Sequence, residues 1–262
     1  MKYRALITGA TGFVGGYVAE CLHAEGWHVS AVVRSTSQRD VLPPTVRDDM
    51  QFYDADQMPL LEIVRTAAPD VVFHLATYYT TEHSPAEIDA LISANITFGT
   101  KLLDAMAQHG VQNFVYARSS WQYYRGDAYE PVNLYAASKE AFDAMVRFYE
   151  SAHDLHSIRL TLFDTYGEHD RRNKLLAVLP TLAAQGKRLA LSEGEQYVDF
   201  VHVKDAARAF LLAGQYLAEG HIERCGNYAV SSGHAIMLKE LVRRYELLLG
   251  VKFPVDWGAK PY

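Results

Sequence analysis

Short apolar runs alternate with helix-like segments over the first 165 residues of the chain. Apolar residues at helical spacing separate these runs, and Gly26 would end the first helix. Strands connected through helices run parallel, and the helices cover both faces of their sheet. The sequence therefore predicts an α/β fold with a doubly wound parallel sheet. The expected strands are RALIT (4–8), HVSAVV (28–33), DVVFHLA (70–76), NFVYA (113–117), which follows a long helix over about 85–109, and SIRLTLF (157–163).

The pattern of the chain changes after Thr165. A basic segment, a helix-like segment and a short strand follow, and the run VKDAARAFLLAGQYL (203–217) would lead back to the first domain. A further strand and the helix-like run LKELVRRYELLLG (238–250) come next. We therefore predict a doubly wound domain over residues 1–165 with a returning segment at about 196–225. A smaller lobe would consist of residues 166–195 and 226–262.

Composition excludes several classes of protein. The 262 residues are 49% hydrophobic and carry a net charge of −6, which argues against a non-specific grip on nucleic acid. No apolar run approaches the ~20 residues of a membrane span, and the N-terminal MKYRALITGA enters a strand directly, unlike a signal peptide. We expect a cytoplasmic protein without a membrane partner. The closest histidine pair, His153 and His156, has no third ligand at a recognisable spacing, so no metal site is predicted.

A glycine-rich turn follows the first predicted strand. ITGATGFVGG places Gly9, Gly12 and Gly15 between that strand and a helix. Glycines at this spacing permit a tight turn and let the backbone approach a pyrophosphate, whose charge meets the helix N-terminus. The alternative is an ordinary strand-to-helix turn. The position of the triplet favours dinucleotide binding.

Arg34 stands at the end of the second predicted strand, where NAD-binding sequences place an acidic residue against the ribose hydroxyls. The chain offers Arg34 and Ser35 there, and no carboxylate occurs before Asp40. An arginine at this point suits the 2′-phosphate of NADP. The alternative is a surface arginine that extends into solvent at the end of a strand.

A second motif, NLYAASKEAF, places Tyr135 and Lys139 one helical turn apart on the same face. A nearby ammonium group favours the phenolate and lowers the pKa of a tyrosine toward neutrality. Ser119 and Ser120 follow a predicted strand, at the edge where open α/β sheets bind their ligands. Together these residues indicate acid–base chemistry on a substrate oxygen.

With these motifs the sequence resembles the extended short-chain dehydrogenase/reductase family of nucleotide-sugar epimerases, dehydratases and reductases. The matching segments are TGATGFVGG, HLAT, NITFGTKLLDAM, ARSS, YAASK, VHVKDAARA and NYAVSSG. The resemblance implies a Rossmann domain that holds a nicotinamide cofactor and a smaller lobe that holds a nucleoside-diphosphate sugar. It also implies that Ser119 is the catalytic serine, Tyr135 the acid/base and Lys139 the lysine that binds the ribose.

The resemblance further implies a set of binding residues. Asp54 would face the adenine, and Asn95 would lie on the supporting helix. The cofactor set is Gly9, Thr11, Gly12, Phe13, Val14, Gly15, Arg34, Ser35, Asp54, Ala55, Leu75, Ala76, Thr77, Asn95, Tyr135, Lys139 and Leu162. The substrate set is Ser120, Trp121, Asp164, Arg171, Arg172 and Lys174.

Departures from the family pattern narrow the expected activity. Ser120 and Trp121 replace the Asp-Glu pair of family dehydratases, so loss of water is not expected, and Val33 replaces the acid usual in NAD epimerases. Val198 replaces an arginine that often binds the sugar diphosphate. The basic run HDRRNKL (169–175) is the substitute we expect, unless it is a solvated helix start. With GEQYVDF (194–200), this run is similar to reductases of CDP-linked 4-keto-6-deoxysugars.

These observations predict an NADP-dependent reductase of a nucleoside-diphosphate 4-keto-6-deoxysugar, with a CDP-linked sugar favoured. Tyr135 would protonate the C4 oxygen, Lys139 would lower the pKa of that phenol, and Ser119 would bind the substrate oxygen. A nucleotide-sugar epimerase with the same residues and a non-catalytic dinucleotide-binding protein are the alternatives. The aromatic residues Trp121, Tyr123 and Tyr124 would either stack on the substrate or pack internally. The partner we expect is the nucleotide-sugar substrate, and the expected assembly is a homodimer.

Overall fold

The computed structural model describes residues 2–123, 126 and 129–261. Its larger sheet has seven parallel strands in the order β11-β6-β5-β4-β1-β2-β3. The prediction of a doubly wound parallel sheet is therefore confirmed. The strands are β1 (Arg4–Thr8), β2 (His28–Val33), β3 (Gln51–Asp54), β4 (Val71–His74), β5 (Asn113–Ser119), β6 (His156–Leu162), β7 (Asp164–Tyr166), β8 (Leu189–Ala190), β9 (Tyr197–Val198), β10 (Phe200–His202), β11 (Gly226–Val230), β12 (Ile236–Met237) and β13 (Val255–Asp256).

Helices connect these strands. They are α1 (Phe13–Ala24), α2 (Pro44–Arg47), α3 (Leu60–Ala67), α4 (Ile88–Ile92), α5 (Phe98–Gln108), α6 (Leu134–His153), α7 (Leu175–Ala184), α8 (Val203–Ala218) and α9 (Leu238–Leu249). Because helices cover both faces of the larger sheet, its central strands are almost wholly apolar and buried, as at Leu6, Phe73 and Phe114. No helix within the described residues is long and apolar enough to cross a membrane.

The chain folds into two compact units. Unit 1 consists of Met1–Leu162 and Lys204–Val230, and it contains the seven-stranded sheet. Its chain order places β1 and β4 side by side, with the later strands added outward on either side. This is the point of such a sheet where loops diverge and leave a crevice for a ligand.

Unit 2 consists of Phe163–Val203 and Ser231–Tyr262. Three strand pairs build it: β7 with β10, β8 with β13, and β9 with β12. Leu179, Val242 and Phe253 form its buried core. The returning segment of unit 1 begins at Lys204, later than the expected 196, because β9 and β10 pair with strands of unit 2. Strand β11 was expected in the smaller lobe, but it belongs to the larger sheet because it pairs with β6.

The long helix expected over 85–109 is divided into several pieces. A 3₁₀ turn (Pro85–Glu87) precedes α4, and a π-helical turn (Ser93–Thr97) separates α4 from α5. Single π turns are rare and occur often at functional sites. Here the π turn contains Asn95, a buried residue with hydrogen bonds to two other elements.

Candidate active site

The glycine turn is built so that a side chain would collide with the backbone at two of its positions. A Cβ on Gly9 would lie 2.6 Å from the backbone nitrogen of Ala76, and a Cβ on Gly15 would lie 2.0 Å from the carbonyl oxygen of Gly9. Gly12 is the N-cap of α1 and, being a glycine, has no side chain that could cap the helix. The turn therefore presents a helix N-terminus lined by backbone, which fits the pyrophosphate of a dinucleotide. It also lies directly against Leu75 and Ala76, which were expected to line the cofactor.

A buried histidine fixes the loop that follows β4. The Nδ1 atom of His74 lies 2.7 Å from the hydroxyl of Thr8, which also accepts the N–H of Ala76 at 3.3 Å. Burial, together with the charge of Lys139, lowers the pKa of His74 to about 3. The ring is therefore neutral at pH 7, so Thr8 can donate to Nδ1 while accepting from the backbone. Sequence reasoning did not assign His74 a role.

Asn95 joins the same loop to α6. Its side-chain oxygen accepts the Thr77 hydroxyl at 2.9 Å and the Tyr78 N–H at 2.7 Å. Its amide nitrogen donates to the hydroxyl of Ser138 at 2.9 Å, and Ser138 donates to the carbonyl of Tyr135. Asn95 thus supports the position of two expected site segments, the 75–78 loop and the start of α6.

Tyr135 and Lys139 both lie on the buried face of α6. Asn133 caps this helix by accepting the N–H of Ala136 at 2.9 Å. The ammonium group of Lys139 donates to the carbonyl of Ala117 on β5 at 3.2 Å. Burial lowers the pKa of Lys139 to about 8, and the charge of Asp143 partly opposes this shift. Most of Lys139 is therefore protonated at pH 7, and its charge is lost as the pH rises through about 8.

Ser119 ends β5 and caps the 3₁₀ turn that follows it. Its hydroxyl oxygen accepts the N–H of Trp121 at 3.3 Å, and its own N–H donates to the side chain of Gln122 at 3.0 Å. The hydroxyl hydrogen can still be donated to another group. Lys139 contacts the strand two residues earlier, and Leu162 pairs with Ser119 in the sheet register. Ser120 and Trp121 form the 3₁₀ turn itself.

Tyr79 is a neighbour of the candidate site that sequence reasoning missed. Its ring meets the ring of Tyr135 edge-on, with centroids 5.1 Å apart, and the ring of Trp121 at 5.8 Å. The available signal was the pair of tyrosines directly after the HLAT segment. Of the other aromatic candidates, Tyr123 hydrogen-bonds with Arg118 at 2.5 Å, and Tyr124 lies outside the described residues.

Arg34 and its neighbours form the loop between β2 and the following 3₁₀ turn. The Arg34 side chain is exposed, and no hydrogen bond or ion pair to any described residue holds its guanidinium group. Ser35 donates its hydroxyl to Asp54 at 2.7 Å and its N–H to Asp56 at 2.9 Å. Asp54 pairs with Val33 in the sheet register and therefore lies at the same edge as Arg34. These carboxylates shape the loop and leave Arg34 available to a ligand.

The remaining substrate candidates belong to unit 2. Arg172 pairs with Asp170 at 2.8 Å and also donates to the carbonyl of Thr165 at 2.8 Å. Lys174 lies 3.4 Å from Asp164. Arg171 is exposed, and its side chain has no hydrogen bond or ion pair to the rest of the described chain. Arg171 is thus the member of the basic run whose charge is not offset locally.

The chain matches the model of the NAD dependent epimerase/dehydratase family over residues 5–227. Because the match spans far more than half of its length, the chain belongs to this family of enzymes. The family resemblance expected from the motifs is therefore confirmed.

Similar proteins include several enzymes of nucleotide sugars. The CDP-abequose synthase of Salmonella typhimurium is 25% identical over 245 residues, which cover 92% of this chain and 79% of that protein. The UDP-glucose 4-epimerase of Streptococcus mutans is 24% identical over an alignment of 287 residues, which covers 97% of this chain and 84% of that protein. Nucleotide sugars are thus named in relatives of more than one activity.

Solved structures support the fold and the type of cofactor. The UDP-glucose 4-epimerase from Brucella ovis in complex with NAD superposes with a TM-score of 0.83 and 25% identity, covering 98% of this chain and 86% of that chain. The UDP-N-acetylglucosamine 4-epimerase from Methanobrevibacter ruminantium M1 has a TM-score of 0.84, 21% identity and the same two coverages, and it shows the fold alone. A nicotinamide dinucleotide is therefore the supported cofactor.

Proposed function

We propose that this protein is an NADP-dependent reductase of a nucleoside-diphosphate 4-keto-6-deoxysugar, with CDP as the favoured nucleotide. The observation that carries the choice of NADP is Arg34. It is exposed and unpaired among the described residues, at the end of the strand next to the glycine turn. An arginine at that position suits the 2′-phosphate that distinguishes NADP from NAD.

The glycine turn and the 75–78 loop would hold the cofactor, since the close approach of Gly9 to Ala76 leaves a backbone-lined cradle there. A nicotinamide bound in this site supplies a hydride. Tyr135 would hold the proton that the C4 oxygen takes up, and Ser119 would donate a hydrogen bond to that oxygen. Lys139 would lower the pKa of Tyr135 through its charge and bind the ribose.

The residues of the turn after β5 favour reduction of a supplied ketosugar. Ser120 and Trp121 stand where dehydratases of the family carry acidic residues, so the keto group would be received from a separate dehydration reaction. CDP is favoured because a relative that aligns with 92% of this chain is a CDP-abequose synthase. In unit 2, Arg171 would contribute the unpaired positive charge for the diphosphate.

A UDP-sugar 4-epimerase is the second candidate. Proteins of this activity occur among the relatives and among the solved structures, several of them in complex with NAD. Such an enzyme would use the same tyrosine and lysine, with no net oxidation or reduction. The two candidates therefore differ in what happens to the hydride.

The deciding experiment supplies the purified protein with NADPH and a CDP-linked 4-keto-6-deoxyhexose, then with the dTDP- and GDP-linked forms, and in a separate reaction with a UDP-hexose. We expect one NADPH consumed for each product molecule, measured by nicotinamide absorbance, and a product heavier by two hydrogens, measured by mass spectrometry. An isomer of unchanged mass formed from a UDP-hexose, without NADPH consumption, would instead establish the epimerase.

Substitution of Tyr135 tests whether this side chain is the acid. Tyr135→Phe should keep NADPH binding and lower turnover by about 10²–10⁴, which is the usual loss for a missing acid–base group. Tyr149→Phe is the matched control, because Tyr149 lies on the same helix and its hydroxyl contacts only Asp104 at 3.4 Å among the hydrogen bonds of the described residues. Near-normal turnover in Tyr135→Phe would exclude it as the acid.

A further inference from the structure

A cluster of buried polar side chains joins α6 to β5 next to Lys139. It contains Tyr116 and Arg118 on β5, Gln122 in the following turn, and Glu140 and Asp143 on α6. The side chains of Arg118 and Asp143 are 2% and 1% exposed. Because an isolated charge costs several kcal/mol to bury, charges at this depth persist only when they are paired.

Asp143 is held from two directions. Its Oδ1 atom accepts the hydroxyl of Tyr116 at 2.5 Å, and its Oδ2 atom lies 2.6 Å from Nη2 of Arg118. Asp143 follows Lys139 by four residues, so both side chains lie on the same buried face of α6. Lys139 also donates to the carbonyl of Ala117, the residue directly before Arg118. The carboxylate is thus paired with a cation of the strand, and a second cation lies one helical turn away on the same buried face of α6.

The same cluster fixes the end of β5. The carboxylate of Glu140 accepts hydrogen bonds from Arg118 and from Gln122, both at 2.8 Å. Gln122 in turn accepts the N–H of Ser119. Arg118 therefore keeps an anionic partner in Glu140 even without Asp143, and a variant at position 143 does not leave Arg118 unpaired.

Several charged or titratable groups face this pair. The pKa of Asp143 is raised overall, chiefly by burial and also by the charge of Glu140, although the Tyr116 hydroxyl, Arg118 and Arg159 lower it. Burial lowers the pKa of Lys139, and Asp143 is the neighbour whose charge opposes that effect. The groups that surround the pair are His74 on β4, which is neutral, Tyr116 and Arg118 on β5, Arg159 on β6 and Glu140 on α6.

We propose that Asp143 is a positioning residue that keeps Lys139 protonated at neutral pH, with Arg118 holding Asp143 in its ionised form. The inference rests on the proposed role of Lys139 beside Tyr135. Without the carboxylate, Lys139 loses its proton closer to neutral pH, and its charge no longer acts on the phenol of Tyr135.

The test follows the ionisation of Lys139 directly. Protein labelled with ¹⁵N-lysine is titrated by NMR, and the Nζ signal of Lys139 is assigned by its loss in Lys139→Arg. We expect deprotonation at a pH at least about one unit lower in Asp143→Asn than in the unmutated protein, because an adjacent buried opposite charge is removed. An unchanged titration would overturn the inference.

Glu150→Gln is the matched control. Glu150 also lies on α6 and pairs with an arginine of the sheet, Arg159, at 2.6 Å, but it is eleven residues from Lys139. Because Glu150 acts on the pair only through Arg159, this variant should shift the Lys139 titration far less than Asp143→Asn does. An equal shift in both variants would assign the effect to a loosened helix and overturn the inference.

A reciprocal measurement remains if Asp143→Asn fails to fold. Coupling between two sites acts equally in both directions. Lys139→Met should therefore make the Asp143 carboxyl take up its proton at a higher pH. ¹³C NMR of the Asp143 carboxyl carbon measures this titration. No change in that titration would overturn the inference.

Turnover provides the functional readout. The loss of NADPH-dependent activity on the alkaline side should move to lower pH in Asp143→Asn by the same amount as the NMR titration. If the Lys139 signal shifts but the unmutated protein reduces no ketosugar, the proposed function fails and the inference about Lys139 stands. If activity is present and its pH profile does not move, Asp143 has no positioning role.

Discussion

Side chains at the carboxyl ends of the larger sheet differ in how they are held. His74 and Lys139 are buried and hydrogen-bonded to the neighbouring strands, whereas the guanidinium group of Arg34 is exposed and has no polar partner among the described residues. Buried groups therefore determine the pH dependence of this region, because their ionisation changes the cost of burial. An exposed arginine instead affects which ligand binds.

Substitution of Arg34 tests the cofactor preference. A charge-assisted contact with the 2′-phosphate contributes about 1.5–3 kcal/mol, or roughly ten- to a hundredfold in affinity. We expect NADPH to bind more tightly than NADH by about that factor, and Arg34→Ala to remove most of the difference. Fluorescence titration with NADPH and with NADH measures this difference in affinity. Arg243→Ala, an exposed arginine of α9, should leave the preference intact, and equal affinities in the unmutated protein would contradict the choice of NADP.

Acid should destabilise the protein partly through His74. Its folded pKa of about 3 lies below the unfolded value, so the stability it contributes is fully present above about pH 6.5 and is lost as the pH falls toward 3. Between pH 7 and pH 5 this amounts to about 2 kcal/mol of unfolding free energy. In urea denaturation, the His74→Gln protein should lose about 2 kcal/mol less unfolding free energy between pH 7 and pH 5 than the unmutated protein loses.

The histidine substitution has a control elsewhere in unit 1. His221 has a half-exposed side chain, and His221→Gln should retain the pH dependence of the unmutated protein. A His74→Gln protein that loses as much stability between pH 7 and pH 5 as the unmutated chain would show that His74 is not the group that titrates.

At the scale of elements, close backbone contacts determine how the loops meet. Gly9 brings the turn after β1 against the loop after β4, and the π turn places Asn95 between that loop and α6. Neither contact depends on large side chains. Small changes in the backbone at these points should therefore disturb the cofactor site more than changes on exposed helix faces.

Two neighbouring glycines of α1 provide a test of this view. Gly15→Ala would place a Cβ 2.0 Å from the carbonyl of Gly9, so the backbone must move, and we expect a loss of about 1–3 kcal/mol in stability together with weak NADPH binding. At Gly16 the nearest atoms would be 3.5 Å away, so Gly16→Ala should be neutral or stabilise by up to about 1 kcal/mol. Urea denaturation and NADPH titration measure both effects. Equal behaviour of the two variants would contradict the packing argument.

At the scale of the whole molecule, the candidate groups are divided between the two units. The glycine turn, Arg34, Ser119, Tyr135 and Lys139 belong to unit 1, and the basic run of residues 169–175 belongs to unit 2. The chain enters unit 2 twice, so neither unit is a single continuous segment. A ligand that binds only the candidate residues of one unit should therefore stabilise that unit more than the other.

Hydrogen–deuterium exchange can separate these effects. NADPH at one hundred times its dissociation constant adds about 2.7 kcal/mol to the stability of the state that binds it. We expect NADPH to slow exchange in the glycine turn, the Arg34–Ser37 loop and the 75–78 loop, and CDP alone to slow exchange around Arg171. Protection by NADPH confined to unit 2 would contradict the assignment of the cofactor to unit 1.

Much of the fold and part of the site could be predicted from sequence, because the relevant signals are local. Strand β1, strand β2 and the spacing of Tyr135 and Lys139 each lie within a few consecutive residues. Strand β3 was missed because its four residues, QFYD, form a short edge strand with no fully buried position. The interrupted helix was missed because a π turn has no strong sequence pattern.

The sequence by itself determined the alternation of strands and helices, the glycine turn and the pairing of a tyrosine with a lysine on one helix face. Only the tertiary structure decided which distant side chains surround them: Tyr79 beside Tyr135, His74 against Thr8, and Arg118 against Asp143. The physical reason is separation along the chain. Periodicity constrains neighbours within a few residues, whereas Thr8 and His74 are 66 residues apart and meet because β1 and β4 pair in the sheet.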